Sequence, residues 1–410
     1  MRPAQGVLPW SSNDTCMSAP GATAKRLPVA IWVLGFVSLL MDISSEMIHS
    51  LLPVFMVTTL GVSMLAVGLI EGAAEATAQI VKVFSGVLSD YWGRRKPLAV
   101  FGYGLGALSK PLFALATGVG LVVTARLLVR VGKGIRGAPR DALVADLAPP
   151  AMRGAAFGLR QSLDTVGAFL GPLLAIGLML LWANDFRAVF WVAVIPAALA
   201  VLLLVVGVRE SAAPEGVPRT NPIRRENLRR LDRDYWWVVA VGAVFTLARF
   251  SEAFLVLRAQ QGGLALAWTP LVLIVMSVVY ALGAYPFGKL SDQVNKTGLL
   301  AGGLLALIAA DLLLAWRADG PVLWAGIALW GLHMAMTQGL LATLVAETAP
   351  ADLRGTAFGF FNPMSGVALL VASGLAGLLW DLRGPAITFI AGAVLAAGAL
   401  GLLGLRPKTA

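Results

Sequence analysis

Twelve times along this chain an apolar run of roughly twenty residues is followed by a short polar or basic break. A bilayer's hydrocarbon core is crossed by about 20 mostly apolar residues in a helix. Read with that ruler, the sequence predicts helices 1 to 6 over 28–57, 64–88, 97–117, 121–147, 154–182 and 187–207. Helices 7 to 12 follow over 235–258, 268–289, 298–316, 321–346, 355–380 and 385–404. The runs holding Asp42 and Arg126 are too polar for hydropathy alone and are assigned from the spacing of their neighbours. With 58% hydrophobic and 13% charged residues, a water-soluble fold of this size has too little polar surface to cover itself. Inside lipid every backbone group needs an internal partner, so runs of this length are helices. The expected fold class is all-α integral membrane, twelve transmembrane helices in two pseudo-symmetric six-helix bundles.

The expected domains are a cytoplasmic tail over 1–27, a first bundle over 28–207, a basic linker over 208–234, a second bundle over 235–404 and a tail over 405–410. The linker carries seven arginines, from Arg209 to Arg233, and Ile223, Leu228 and Leu231 suit a short helix on the membrane surface. Lys25 and Arg26 precede the first apolar run without an evident cleavage site, so that run reads as a spanning helix and not a secretory signal. With both termini in the cytoplasm, nearly all loop Lys and Arg fall inside, and only Arg187, Arg258, Arg317 and Arg383 fall outside. That bias accounts for the net charge of +10 without a nucleic-acid partner. Cys16 is the sole cysteine, so no internal disulfide forms. No P-loop, dinucleotide motif, metal-binding cysteine cluster or nucleophile–base set is present, so no cofactor and no enzyme activity are expected.

The two halves repeat. Gly86-Val-Leu-Ser-Asp90, then Arg94, corresponds to Gly288-Lys-Leu-Ser-Asp292, then Lys296. Arg153-Gly-Ala-Ala-Phe-Gly158 corresponds to Arg354-Gly-Thr-Ala-Phe-Gly359, each preceded by an acid, Asp146 or Glu347. Duplicated halves with a solute site between them are a transporter architecture.

Gly86-Val-Leu-Ser-Asp90-Tyr-Trp-Gly93-Arg94-Arg95-Lys96 resembles the signature loop between helices 2 and 3 of the major facilitator superfamily. Arg126 with Gly132 and Gly134 resembles the family's helix-4 motif, with Arg130 where a glycine is usual. Gly158, Gly167, Gly171, Pro172 and Ala175 resemble the helix-5 motif of its antiporters, with Ala175 in place of the last glycine. The resemblance covers the chain after residue 27. It implies a latch on the cytoplasmic side, in which Asp90 faces the helix after Arg354 and Asp292 the helix after Arg153, with Gly86, Arg94 and Lys296 beside them. It implies also a pivot at Gly167, Gly171 and Pro172 associated with export by exchange.

Charges at membrane depth are functional candidates by default. Helix 1 carries Asp42, Glu46 and His49 on one face, and helix 2 carries Glu71, Glu75 and Lys82 on one face. Helix 4 carries Arg126, Arg130, Lys133 and Arg140 as a stripe, with Lys110 in helix 3, Asp164 in helix 5, Arg249 and Glu252 in helix 7, and His333 in helix 10. Counting rise per residue puts Asp42 and Glu46 level with Lys133 and Arg130. The expectation is that Asp42 or Glu46 exchanges a proton while Arg130 or Lys133 holds the acid or an anionic solute. A competing reading makes Asp42, Glu46 and His49, completed by Glu71 or Glu75, a divalent-metal path. Trp236, Trp237, Trp324 and Trp330 read as interface markers. The function expected is proton-coupled export of a small organic compound by alternating access in the inner membrane, as a monomer whose partners are the bilayer, the solute and protons. The alternatives are uptake of an organic anion or metallophore-like compound, and divalent metal export.

Overall fold

The computed structural model describes residues 27–92, 94–149, 152–209, 230–291, 293–350 and 353–404, the side chains of Asp90, Arg354 and Gly355 excepted. All regular structure among them is helical. Helix 1 is Val29–His49 continued by Leu52–Thr58, helix 2 Met64–Trp92, helix 3 Lys96–Leu108 continued by Lys110–Ala114, and helix 4 Val119–Leu147. Helix 5 is Arg153–Leu181 and helix 6 Phe186–Gly207. Helix 7 is Arg233–Ala248 continued by Ala253–Gln261, helix 8 Leu271–Ser291 after a short turn at Leu266–Trp268, and helix 9 Lys296–Trp316. Helix 10 is Gly320–Thr348, helix 11 Arg354–Arg383 and helix 12 Pro385–Gly404.

Ten of these are long and apolar enough to cross a bilayer. The run holding Asp42 qualifies after all, because apolar residues outweigh its few charges across 30 residues. The two that fall short are helix 3 and helix 4, which carry Lys110 and the arginine stripe. Helix 4 is solvated by protein on its basic face, and lipid hydropathy does not describe such a helix.

Two helices predicted as continuous are broken. Helix 1 breaks at Ser50–Leu51, where Pro53 in the first turn of the next segment lacks the N–H that would continue the ladder. Helix 7 breaks at the corresponding place, with Arg249 in extended backbone at φ −113° and ψ 98°. The Ser251 N–H freed by this break donates to Ser373 Oγ of helix 11 at 3.1 Å. Broken helices at matching places in two repeats mark a transporter's binding region.

Packing repeats between halves. Helix 1 lies against helices 5 and 6, and helix 4 against helices 2 and 3; helix 7 lies against 11 and 12, and helix 10 against 8 and 9. The repeat extends to ion pairs. Arg95 pairs with Asp146 at 2.7 Å in the first half, and Lys296 pairs with Glu347 in the second. The partner of Lys296 in the repeat is therefore Arg95, one residue beyond the Arg94 of the sequence alignment; Arg94 is exposed.

The halves meet along helices 2 and 11 and along helices 5 and 8. The first seam is closed at one end by backbone contact. A Cβ on Gly68 would come within 2.0 Å of the Ser373 carbonyl, one on Gly72 within 2.7 Å of Leu370 Cα, and one on Gly377 within 2.2 Å of the Met64 carbonyl. Only glycine permits this approach. At the same end the Asp381 carboxylate of helix 11 accepts the Met64 N–H at 3.0 Å and the Leu65 N–H at 2.8 Å, capping helix 2 from the opposite half. Toward the other end the seam relaxes, and a Cβ on Gly359 would meet Val83 at an ordinary 3.5 Å.

The latch expected from the resemblance falls largely outside the described residues, since Asp292 and the side chains of Asp90 and Arg354 lie there. Its described cations are held within their own halves, Lys296 by Glu347 and Arg153 by the Ala145 carbonyl at 3.2 Å. Ile223 and Leu228 of the expected surface helix also lie outside, and Leu231 is buried.

At this end the halves are thus joined by backbone contact and by a carboxylate on a helix terminus. Asp381→Ala is expected to weaken closure by about 1 kcal/mol. Spin labels at the exposed positions Thr59 and Gln261 will show a longer-distance population grow in the variant. An unchanged distance distribution means the cap does not hold the seam.

Candidate functional site

Helices 2 and 4 run parallel, and their charges pair in register. Arg126 binds Glu71 and, one turn on, Arg130 binds Glu75. Arg126 is 4% exposed and Glu71 1%, so this pair has no water to fall back on. The helix-4 glycines make the register possible: a Cβ on Gly134 would press on the Ala78 carbonyl at 2.9 Å, and one on Gly132 on the Gly102 carbonyl at 2.6 Å. Helix 4 therefore touches helices 2 and 3 backbone to backbone while its arginines reach past.

Helix 1 closes the cluster from the other side. His49 Nδ1 lies 3.4 Å from Glu46 and Nε2 lies 3.7 Å from Glu71, so the ring bridges two carboxylates. Asp42 reaches Arg136 only at 3.9 Å, while that guanidinium sits 4.4 Å above the Tyr103 ring. Lys110 donates to Ser45 Oγ at 2.9 Å. Asp164 on helix 5 is taken by Arg160, and Arg140 by Asp141 at 3.1 Å.

The expected partners are thereby corrected. Arg130 is matched by Glu75, and Asp42 by Arg136, because helix 4 packs closely along helix 2 and only lightly against helix 1. Lys133, at the middle of helix 4, is exposed and makes no ion pair or hydrogen bond among the described residues.

Helix 5 touches the acids of helix 1 through its glycines. A Cβ on Gly167 would lie 3.0 Å from Asp42 Cβ, and one on Gly171 2.7 Å from Glu46 Cβ. Helix 5 runs unbroken through Pro172. A Cβ on Gly158 would meet nothing within 4 Å.

Two spaces adjoin this network. One, small, is lined by Asp42, Glu46, His49, Arg130 and Lys133 within the first half. The other, larger, lies between the halves, with Glu75 and Gln79 on one wall and Arg249, Gln338, Phe361 and Asn362 on the other. The Arg130–Glu75 pair joins them, Arg130 lining the first and Glu75 the second.

Of the remaining candidates, His333 is fully buried, bound to the Gly303 carbonyl at 2.8 Å and stacked on Phe245 at 5.2 Å, which makes it a wall. Trp330 is not an interface marker; it is fully buried 5.3 Å from Phe250. Sequence reasoning missed Asp311 on helix 9, fully buried with neither carboxyl oxygen hydrogen-bonded. The signal was available, as an acid in the middle of an otherwise apolar run. Among the described residues no group of three His, Cys, Asp or Glu is placed to hold a metal ion. Both nitrogens of His49 face carboxylates, and Glu71 and Glu75 are claimed by arginines.

A sequence profile described as the Major Facilitator Superfamily matches residues 34–373. The chain belongs to this superfamily. An uncharacterised MFS-type transporter of Methanocaldococcus jannaschii is 32% identical over 91% of this chain and 93% of its own. Multidrug resistance protein MdtH of Yersinia pestis is 26% identical over 84% of each chain. Among solved structures, the nucleoside transporter NupG superposes with a TM-score of 0.76 at 12% identity, covering 93% of this chain and all of that one. At that identity the likeness speaks for the MFS fold alone. The chain is accordingly a multi-pass membrane transporter of this superfamily.

Since removing one partner strands the other in a dry site, Glu71→Gln is expected to lower stability by about 3–5 kcal/mol. The double variant Glu71→Leu/Arg126→Met should recover most of that loss. Thermal unfolding of the detergent-solubilised proteins measures both, and a single variant as stable as the parent rejects the role of the pair.

Proposed function

We propose that this chain is a proton-coupled secondary transporter of a small organic solute, working by alternating access, with Asp42 as the group that takes the coupling proton. The observation carrying this reading is the contrast among acids. Glu71 and Glu75 are each held by an arginine and Glu46 by His49, whereas Asp42 has one long contact to Arg136. Its side chain also lies against Gly167 of helix 5, a helix that meets the other half through helix 8. A change of charge at Asp42 therefore acts where helix 1 meets a helix of the inter-half seam. The setting is the plasma membrane, with both termini inside and the Asp381 end outside, on the strength of the distribution of loop Lys and Arg. The expected latch around Asp90 and Asp292 would hold the opposite end when it closes.

Two directions of coupling fit one acid. Export in exchange for protons is supported by the helix-5 glycines and by relatives named as multidrug resistance proteins. Movement of solute and proton together is supported by the surplus of cations in the cavity. Divalent metal export finds no donor set among the described residues. The charge of the cargo decides between exchange and co-transport.

In proteoliposomes loaded with a pH dye, some members of a panel of small organic solutes will dissipate an imposed pH gradient with the parent protein. Asp42→Asn should lower that flux by about tenfold or more while leaving solute counterflow intact. Undiminished proton movement in the variant removes Asp42 from the coupling.

A further inference from the structure

We infer that the cargo is a small organic anion that meets Arg249 of the second half in the larger space and Lys133 of the first half in the adjoining one, and that it moves together with the proton. The inference rests on reading the central space as the transport path.

Around the smaller space and the ion pairs beside it four carboxylates, Asp42, Glu46, Glu71 and Glu75, face five cations, Lys110, Arg126, Arg130, Lys133 and Arg136. Glu71 and Glu75 are occupied by Arg126 and Arg130, Glu46 by His49, and Asp42 by Arg136. Lys110 has a hydroxyl partner in Ser45. Lys133 lines the same space halfway along helix 4 with no ion pair or hydrogen bond among the described residues, the carboxylates of Asp42, Glu46 and Glu75 acting on it only at longer range. An ammonium at that depth is tolerated where water or a counter-ion reaches it.

The second half supplies the matching group. Arg249 sits where helix 7 is unwound and lines the larger space, without an ion pair among the described residues. Glu252, four residues from the end of the first segment of helix 7, lies within electrostatic reach of Arg130. With Glu252 and Arg249 counted, five carboxylates face six cations, so one positive charge is in surplus. The larger space that Arg249 lines also carries the amides of Gln338 and Asn362, able to hydrogen-bond an anionic head group, and the rings of Phe245 and Phe361, able to cover an apolar or aromatic body.

The sign of coupling follows from the position of Asp42. The charges acting on its carboxylate come from Asp164 of helix 5 and from Lys133, Arg136 and Arg140 of helix 4. Ionised, Asp42 draws on the charge of Lys133 and repels an incoming anion; neutral, it leaves Lys133 to the cargo. Proton and anion therefore strengthen one another's binding by the same factor. Exchange demands the opposite, a cargo that expels the proton, so this cavity is built for co-transport.

Purified protein would be titrated with isosteric aromatic probes, namely benzoate, benzenesulfonate and phenyl phosphate against benzylamine and benzamide, and binding read by thermal shift and tryptophan fluorescence. An anion is expected to bind and the amine and amide not, with affinity falling as pH rises from about 5 to about 8. Lys133→Gln and Arg249→Gln should each weaken anion binding by about tenfold or more, and Lys133→Arg should restore it, with melting temperature in the absence of probe confirming that each variant folds. Asp42→Asn should bind the anion at high pH as the parent does at low pH. No binding by any anion, tighter binding of the amine, or affinities unmoved by both substitutions overturns the inference. A bound anion that obeys these substitutions without pH-driven flux in proteoliposomes would instead remove the transport coupling, and proton-coupled flux of a cationic cargo would remove the inference alone.

Discussion

The pairing of helix 2 with helix 4 through Glu71–Arg126 and Glu75–Arg130 is the constraint on which the site depends. Five cationic side chains on a single helix in a bilayer are tolerable only where carboxylates or water answer them. Two are answered by helix 2 in register, and the glycines at 132 and 134 let the backbones close until the charges meet. With helix 4 fixed, His49 is drawn between Glu46 and Glu71, and Arg136 is turned onto Tyr103. Lys133 is the position for which this arrangement provides no partner, and the proposed cargo site follows from that omission.

A second constraint acts between the halves. Gly68, Gly72 and Gly377 bring helices 2 and 11 into backbone contact at one end, and Asp381 secures that end by capping helix 2. A seam made of backbone contact and two hydrogen bonds to a solvent-exposed carboxylate is strong in register and weak in free energy. Such a seam can separate and re-form. The buried ion pairs among the described residues, by contrast, lie within one half, so a rocking motion leaves them whole.

The two helix breaks tie these features together. Pro53 ends the first part of helix 1 just beyond His49, and the unwound Arg249–Glu252 stretch interrupts helix 7 at the equivalent depth. Each break adjoins a basic residue that lines a cavity, His49 the smaller space and Arg249 the larger. The Ser373 hydroxyl on helix 11 takes up the N–H that the helix 7 break releases, so the irregular backbone is satisfied within protein.

Hydropathy and spacing alone determined the twelve spans, their division into repeated halves and the presence of costly charges at membrane depth. These follow from period and composition, which one strand of text carries in full. The sequence also placed the acids and cations at comparable depths, because rise per residue is fixed. It did not determine which would pair. Asp42 was matched in depth to Lys133, yet helix 4 lies against helix 2, and the lateral packing of helices assigned Arg130 to Glu75 and Asp42 to Arg136. The break in helix 7, the cap by Asp381 and the isolation of Lys133 were likewise settled by which helices touch, since a contact between residues some 300 positions apart leaves no periodic trace in either segment.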